Sequence, residues 1–343
     1  MSTIQLSMRF LLFCMICFGQ AGAQPLPVDN LVFEGAGIRG IAYSGALEVF
    51  EEAGLLQQVK RVGGTSAGAV TALAVALGYS SGELARLVQQ TPYHRFNDGG
   101  FPLVGGLTRL QRHFGWYKGR RFEEWLGALI RAKAGTADLT FRQLVDRGFR
   151  HLYVTGTSLT RQRLLVFSHE TYPDMRVLDA VRISMSIPLY FEPLFMDAAG
   201  RIVRHPKKKE GLEVLVDGGF TGNFPIHLFD SARYHPGTPG APANAHTVGF
   251  RIDTEEQIMQ DSIHPTLVPA PVTDLRSYIG AFYTIVLENL NRQSLTAADW
   301  ERTVSISDAR IGPRVRRLSA TEVALLRSKG REAAAAFLRQ RQR

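Results

Sequence analysis

Gly64-Thr65-Ser66-Ala67-Gly68 is the stretch on which the reading of this chain turns. It follows Val59 to Val62, a short apolar segment predicted to be a strand, and precedes Ala69 to Leu77, an apolar run predicted to be a helix. In a G-x-S-x-G turn between strand and helix, small flanking residues let the backbone reverse sharply and lift the serine hydroxyl out of the sheet. The pattern alone is weak in a chain with 33 glycines, and a serine at an ordinary helix N-cap would look the same. The flanking strand and helix give it weight and make Ser66 the candidate nucleophile.

Upstream, Asn30 to Phe33 is a second predicted strand, and it runs into Gly35-Ala36-Gly37-Ile38-Arg39-Gly40. Ile41, Ala42, Gly45, Ala46, Val49 and Phe50 then recur at helical spacing, with Gly54 as a stop. Strand, turn and helix, twice in succession, imply parallel pairing with helices over the sheet, which is the α/β class. A G-x-G-x-x-G turn in this place can cradle a dinucleotide, but that use needs an acid at the end of the second strand. Val62 to Ser66 contains none. The better use is an oxyanion hole, in which backbone N–H groups at a helix start face a developing negative oxygen.

Further strands are predicted at His151 to Thr155, Leu164 to Phe167, Glu213 to Val216 and His246 to Ile252. The third leads into Asp217-Gly218-Gly219-Phe220-Thr221-Gly222-Asn223-Phe224-Pro225. An acid at the end of a buried strand sits where open α/β sheets place their ligands, whereas an isolated Asp-Gly pair is by default a turn. Thr91 to Gly119 is rich in glycine and aromatic residues without a clear period, and reads as an ordered insertion. Pro236 to Ala245 reads as a loop, Asp274 to Leu295 and Thr321 to Arg339 as helices, and Thr303 to Ile306 as a strand between them. His227, His235, His246 and His264 could serve a Ser-His-Asp triad. Ser66 follows only one strand before its own, which is early for the elbow of that fold.

Residues 1–23 read as a secretory signal: Arg9, the apolar run Phe10 to Phe18, and the small residues Ala21-Gly22-Ala23. The run is far short of the roughly 20 residues that span a bilayer. Export would therefore end in the periplasm or the medium. Cys14 and Cys17 both lie in this segment, so the mature chain would have no disulfide and no cysteine nucleophile or metal ligand. The formal charge is +9, which suits an anionic partner without choosing one. No nucleic-acid motif accompanies it, and Arg204, Lys207, Lys208, Lys209 and the Arg-rich C-terminus are candidates for peripheral contact with an anionic membrane.

The glycine-rich loop, G-T-S-A-G and D-G-G-x-x-x-N-x-P, in this order, closely resemble the patatin-like phospholipases. Ile183-Ser184-Met185-Ser186-Ile187-Pro188, with Phe191 and Pro193, is similar to that family's segment before its catalytic acid, and Tyr117-Lys118-Gly119 to the start of one of its helices. The resemblance covers about Leu31 to Phe250. Glu34 stands where the family usually has Asp, and Ala36 replaces the middle glycine of the loop.

The resemblance implies a three-layer α/β/α fold with a mainly parallel central sheet. Residues 24–255 would form the catalytic domain, with the insertion at about 91–119, and 256–343 a mainly helical extension packed on it. It makes Ser66 the nucleophile and Asp217 its direct base. Gly37, Ile38 and Arg39 would supply the oxyanion hole, and Gly35, Gly40, Gly64, Gly68, Gly218 and Gly219 would support the loops. The expected activity is lipid acyl hydrolysis of the phospholipase A or lysophospholipase type, on phospholipid or another acyl lipid, through an acyl-enzyme and without metal or cofactor. The alternatives are a Ser-His-Asp esterase and an inactive membrane-binding relative.

Overall fold

The computed structural model describes residues 27–341 other than 92, 99–109, 235–242, 262, 265, 286, 287, 289–291, 293, 314 and 315. The predicted signal and the middle of the predicted insertion lie outside these residues. The strands are β1 (Asn30–Phe33), β2 (Arg61–Gly64), β3 (Gly115–Tyr117), β4 (His151–Ser158), β5 (Arg163–Phe167), β6 (Leu189–Phe191), β7 (Leu194–Met196), β8 (Ile202–Val203), β9 (Glu213–Asp217), β10 (Thr247–Asp253) and β11 (Thr303–Ser307). The main sheet runs β11-β10-β1-β2-β4-β9-β7-β8, with β5 also paired to β4. From β11 to β4 all pairings are parallel. Beyond β4 they are antiparallel, so β4 is the strand at which the sheet changes character.

Side chains alternate across the sheet, and the two faces are filled differently. Leu31, Phe33, Val62, Leu152, Val154, Val248 and Phe250 enter the larger core beneath helices α1 (Ala42–Glu52) and α2 (Ala67–Ala76). Phe33 stacks on Phe250 at 5.0 Å, and Phe250 meets Phe50 of α1 edge-on. Val32 and Tyr153 face the other way, against Phe224, Ile226, Phe229 and Leu295. Gly63 and Gly249 let this second layer come close: a Cβ on Gly63 would lie 2.5 Å from Leu228, and one on Gly249 2.4 Å from Phe224. The result is the predicted three-layer arrangement, and the near-continuous apolar strands are those of a sheet covered on both faces.

Several boundaries differ from the sequence reading. Strand β2 extends through Gly63 and Gly64, which read as turn residues, because both pair with β1 and β4. Helix α2 starts at Ala67 rather than Ala69. Within the predicted insertion, Gly115–Tyr117 pairs in parallel with β6, where a Cβ on Gly115 would lie 2.2 Å from the Glu192 nitrogen. Helix α3 (Arg120–Ala134) follows, entered through Gly119 in the left-handed region. Within the helix expected over Asp274 to Leu295, Leu275–Thr284 is described as helical, and Thr296 caps a separate short helix, Ala297–Glu301.

Residues beyond 256 add β11 to the main sheet and lay helix α4 (Ala320–Arg341) along α1. Their contact is made by backbone: a Cβ on Gly330 would sit 2.0 Å from the Ala42 carbonyl, and one on Gly45 2.0 Å from that of Arg327. Gly330→Ala is therefore expected to cost about 1–3 kcal/mol through overpacking. Gly82→Ala, at a helical glycine where a Cβ would meet only Ser80 Oγ, 4.0 Å away, should be neutral or slightly stabilising. Thermal denaturation of the two variants checks the pair.

Candidate active site

Ser66 occupies the turn between β2 and α2 with φ 53° and ψ −123°, a conformation that L-residues seldom adopt. The surrounding residues hold it there. A Cβ on Gly64 would lie 2.5 Å from the Gly68 carbonyl, and one on Gly68 2.3 Å from that of Phe33, so both glycines of the motif are required by space. The Thr65 hydroxyl bonds that of Thr155 on β4 at 2.6 Å. The Ser66 N–H donates to Ser184 Oγ at 2.8 Å, and the Ser66 hydroxyl faces Met185 Sδ at 3.6 Å.

Asp217 ends β9 on the far side of β4. Gly64 pairs with Val154 and Asp217 with Gly156, so Ser66, two residues past Gly64, reaches the level of Asp217 across the strand. Gly218 lies against β4, where a Cβ would sit 2.6 Å from Thr155 Oγ1. The Asp217 N–H donates to the Ser186 carbonyl at 3.0 Å, and Asp217 Oδ1 accepts the Gly219 N–H at 2.7 Å. Burial pushes the Asp217 carboxyl up to about 7, against the opposing pull of the Gly219 N–H and the nearby Ser66 hydroxyl. No basic side chain is among these influences. The segment Ser184-Met185-Ser186 thus joins the two halves, holding Ser66 by one hydroxyl and Asp217 by one carbonyl.

The glycine-rich loop closes the site. Gly35 packs on Ser66, so that a Cβ there would be 3.2 Å from Ser66 Cβ. The Gly35 carbonyl accepts from Asn223 Nδ2 at 3.0 Å. Gly40 approaches Ala67 equally closely at the start of the helix. Two expected donors prove to be engaged elsewhere: the Ile38 N–H donates to the Pro313 carbonyl at 3.2 Å, and the Arg39 N–H to the Ala36 carbonyl at 3.3 Å. The Arg39 guanidinium turns to Asp308, 3.6 Å away. Among the described residues the Ala36 and Gly37 N–H groups have no acceptor. Amides at a helix start look alike in sequence, and the distant acceptor of the Ile38 N–H, Pro313, is not legible there.

The candidate histidines sit apart from this edge. Ser66 lies beyond the C-terminal end of a parallel strand, whereas His246 immediately precedes β10 and bonds Asp29, which precedes β1, at 2.8 Å. His227 bonds Asp230 at 3.0 Å, and Asp230 is held by Arg302, just before β11. Both are therefore at the opposite edge of the sheet. His264 is exposed in a loop, and His235 lies outside the described residues. His227, Asp230 and Asp299 are grouped as metal ligands can be, but the Arg302 guanidinium already bonds both carboxylates at 2.6 Å. A wide cleft lined by Lys118, Arg120, Glu123, Arg182 and Arg204 includes neither Ser66 nor Asp217.

A patatin-like phospholipase family model matches residues 31–230. The chain belongs to this family. It is 36% identical over 216 residues to the protein YqhO of Bacillus subtilis (strain 168), covering 60% of this chain and 68% of YqhO. It is 24% identical over 216 residues to a protein of Invertebrate iridescent virus 6 named probable lipid hydrolase 463L, covering 62% of this chain and 66% of that one. Among solved structures, VipD from Legionella pneumophila shares the fold, with a TM-score of 0.55 at 15% identity over 92% of this chain and 67% of VipD. The family match takes in Ser66, Asp217 and the glycine-rich loop.

The raised pKa of Asp217 has a consequence for folding. An unfolded chain releases this proton near 3.8 and the folded one near 7, so the group favours folding at low pH and that contribution is lost as pH rises from about 4 to about 7. Asp217→Asn, which cannot ionise, should be more stable than the wild type at pH 8 by up to about 4 kcal/mol. The gap should close near pH 4, and urea denaturation at the two pH values measures it.

Proposed function

We propose that the chain hydrolyses acyl esters of lipids, with Ser66 as nucleophile and Asp217 as its direct base. The observation that carries this reading is a buried carboxyl at the end of β9 brought level, across β4, with a strained serine at the end of β2; burial pushes that carboxyl up to about 7. A carboxylate of ordinary pKa is a weak base toward an alcohol. Raising it by about 3 units makes the transfer roughly a thousandfold less unfavourable, and transfer concerted with attack avoids a free alkoxide.

In the proposed cycle, Ser66 Oγ attacks the ester carbonyl as its proton passes to Asp217. The carbonyl oxygen becomes an oxyanion that faces the Ala36 and Gly37 N–H groups. Collapse of the tetrahedral species breaks the bond to the leaving alcohol, which takes the proton from Asp217 and leaves acyl-Ser66. Asp217 then accepts a proton from water as the water attacks the acyl group, and returns it to Ser66 as the fatty acid departs. In this reading the donors are the Ala36 and Gly37 amides, which have no acceptor among the described residues, rather than the expected Gly37, Ile38 and Arg39 set.

Export through the N-terminal signal and peripheral contact with an anionic membrane belong to the same proposal. Arg204 is already paired with Glu123 and Asp179, and Lys209 lies over the Phe114 ring at 3.8 Å. Lys207 and Lys208 are exposed, and headgroup contact falls chiefly to them.

Fatty-acid release from phospholipid vesicles tests the dyad. Ser66→Ala and Asp217→Asn should each lower turnover by about 10³-fold or more, while His227→Ala, His246→Ala and His264→Ala should stay within about twofold of wild type, since none reaches a reacting atom. Loss of activity in a folded histidine variant would restore the triad reading.

A further inference from the structure

The family match ends at residue 230, yet much of what holds the glycine-rich loop comes from beyond it. A trans peptide is planar, and its C=O and N–H point in opposite directions. Fixing the carbonyl of one peptide therefore aims the amide of the same unit. The Gly35–Ala36 unit is held by Asn223 Nδ2 on the Gly35 carbonyl at 3.0 Å, which aims the Ala36 N–H. The Ala36–Gly37 unit is held twice by Arg39, whose Nε donates to the Ala36 carbonyl at 3.2 Å and whose backbone N–H donates to it at 3.3 Å, which aims the Gly37 N–H. In the Gly37–Ile38 unit, the Ile38 N–H is taken by the Pro313 carbonyl at 3.2 Å. Pro313 also crowds Gly37, where φ is +57° and a Cβ would lie 2.3 Å from the Pro313 oxygen.

Each of these holding groups is itself tied to the C-terminal part of the chain. Asp308, buried just after β11, lies 3.6 Å from the Arg39 guanidinium. Asp308 is fixed in turn: its N–H donates to the Asp253 carbonyl at 2.8 Å, and its Oδ1 accepts the Arg310 N–H at 2.8 Å. Ala309 and Arg310 follow with φ of 52° and 61°, a conformation that two non-glycine residues keep only when their surroundings impose it. Asn223 Nδ2 lies 3.4 Å from Glu288, which accepts from Arg251 at 2.7 Å. Arg251 is 3.5 Å from Glu34, the residue before the loop, and the Ile252 N–H donates to the same carboxyl at 3.2 Å.

We infer that the segment after residue 230 sets the geometry of the oxyanion loop, with Asp308 a positioning residue that acts through Arg39 on the Gly37 N–H. The inference rests on the esterase reading above. Asp308 touches no reacting atom in this scheme. Its removal frees the Arg39 side chain and leaves the Ala36 carbonyl with the Arg39 N–H alone, so the Ala36–Gly37 peptide tilts and one of two donors moves off the line of the developing oxyanion.

The experiment compares wild type, Asp308→Ala, Asp308→Asn, Arg39→Ala and the Arg39→Ala/Asp308→Ala double variant, using hydrolysis of a soluble p-nitrophenyl acyl ester, the rate of labelling by a fluorophosphonate, and thermal denaturation. Asp308→Ala should lower kcat and the labelling rate together by about 10- to 100-fold, with KM within twofold and the midpoint of unfolding within a few degrees. Asp308→Asn, which still offers the guanidinium an acceptor, should recover most of the loss. The double variant should be no slower than Arg39→Ala, because the two residues act in one chain of contacts. Wild-type kcat in Asp308→Ala, or a loss matched by a drop in thermal stability or a rise in KM, would overturn the inference. Faster labelling would also overturn it, by making the segment a cover over the loop rather than its support. A wild type that neither hydrolyses the ester nor labels would instead sink the esterase reading, so the two failures are distinct.

Discussion

An enclosed carboxyl with no basic side chain among the described residues to neutralise it sets the terms for this molecule. Asp217 is 4% exposed and receives one backbone N–H at 2.7 Å, too little to keep it a fully ionised carboxylate at neutral pH. The outcome is a proton held near pH 7 in a place largely shielded from solvent. That arrangement disfavours the ionised folded state, and in exchange the carboxyl gains basicity useful to a neighbouring hydroxyl.

The sheet is built to bring the hydroxyl to it. Strand β4 pairs in parallel with β2 on one side and antiparallel with β9 on the other. A serine leaving the end of β2 and an aspartate ending β9 therefore meet at one level across a single strand. Glycines at 64, 68 and 218 remove the side chains that would hold these segments apart, and Ser184 and Ser186 tie both to the same turn. The glycine-rich loop then lies over Ser66, with its peptide units oriented by Asn223, Arg39 and Pro313. The proposed nucleophile, base and amide donors come from separate parts of the chain, and the junction at β4 is what lets them converge.

How much of this the sequence discloses depends on the range of the interaction. Ser66 and Asp217 are legible because each announces itself locally, one as a serine between small residues at a strand–helix turn, the other as an acid that ends an apolar strand. The α/β class follows from the repeated strand, turn and helix. Strand β3 is hidden because its aromatic residues show no period until β6 lies beside them. The engagement of the Ile38 amide by the Pro313 carbonyl, and of the Arg39 guanidinium by Asp308, is hidden in the sequence because both partners come from the far end of the chain. Glu34, a departure from the family's usual aspartate, is explained the same way: it reaches the Ile252 N–H and Arg251, both on β10.

The most direct test of the account is the pH dependence of fluorophosphonate attachment to Ser66, mapped by mass spectrometry in the wild type and in Asp217→Asn. With Asp217 as the base, the wild-type rate should rise through a single ionisation near pH 7, and the variant should label very slowly with that ionisation gone. A wild-type profile that survives unchanged in Asp217→Asn would mean that another group takes the proton, and the account would fail.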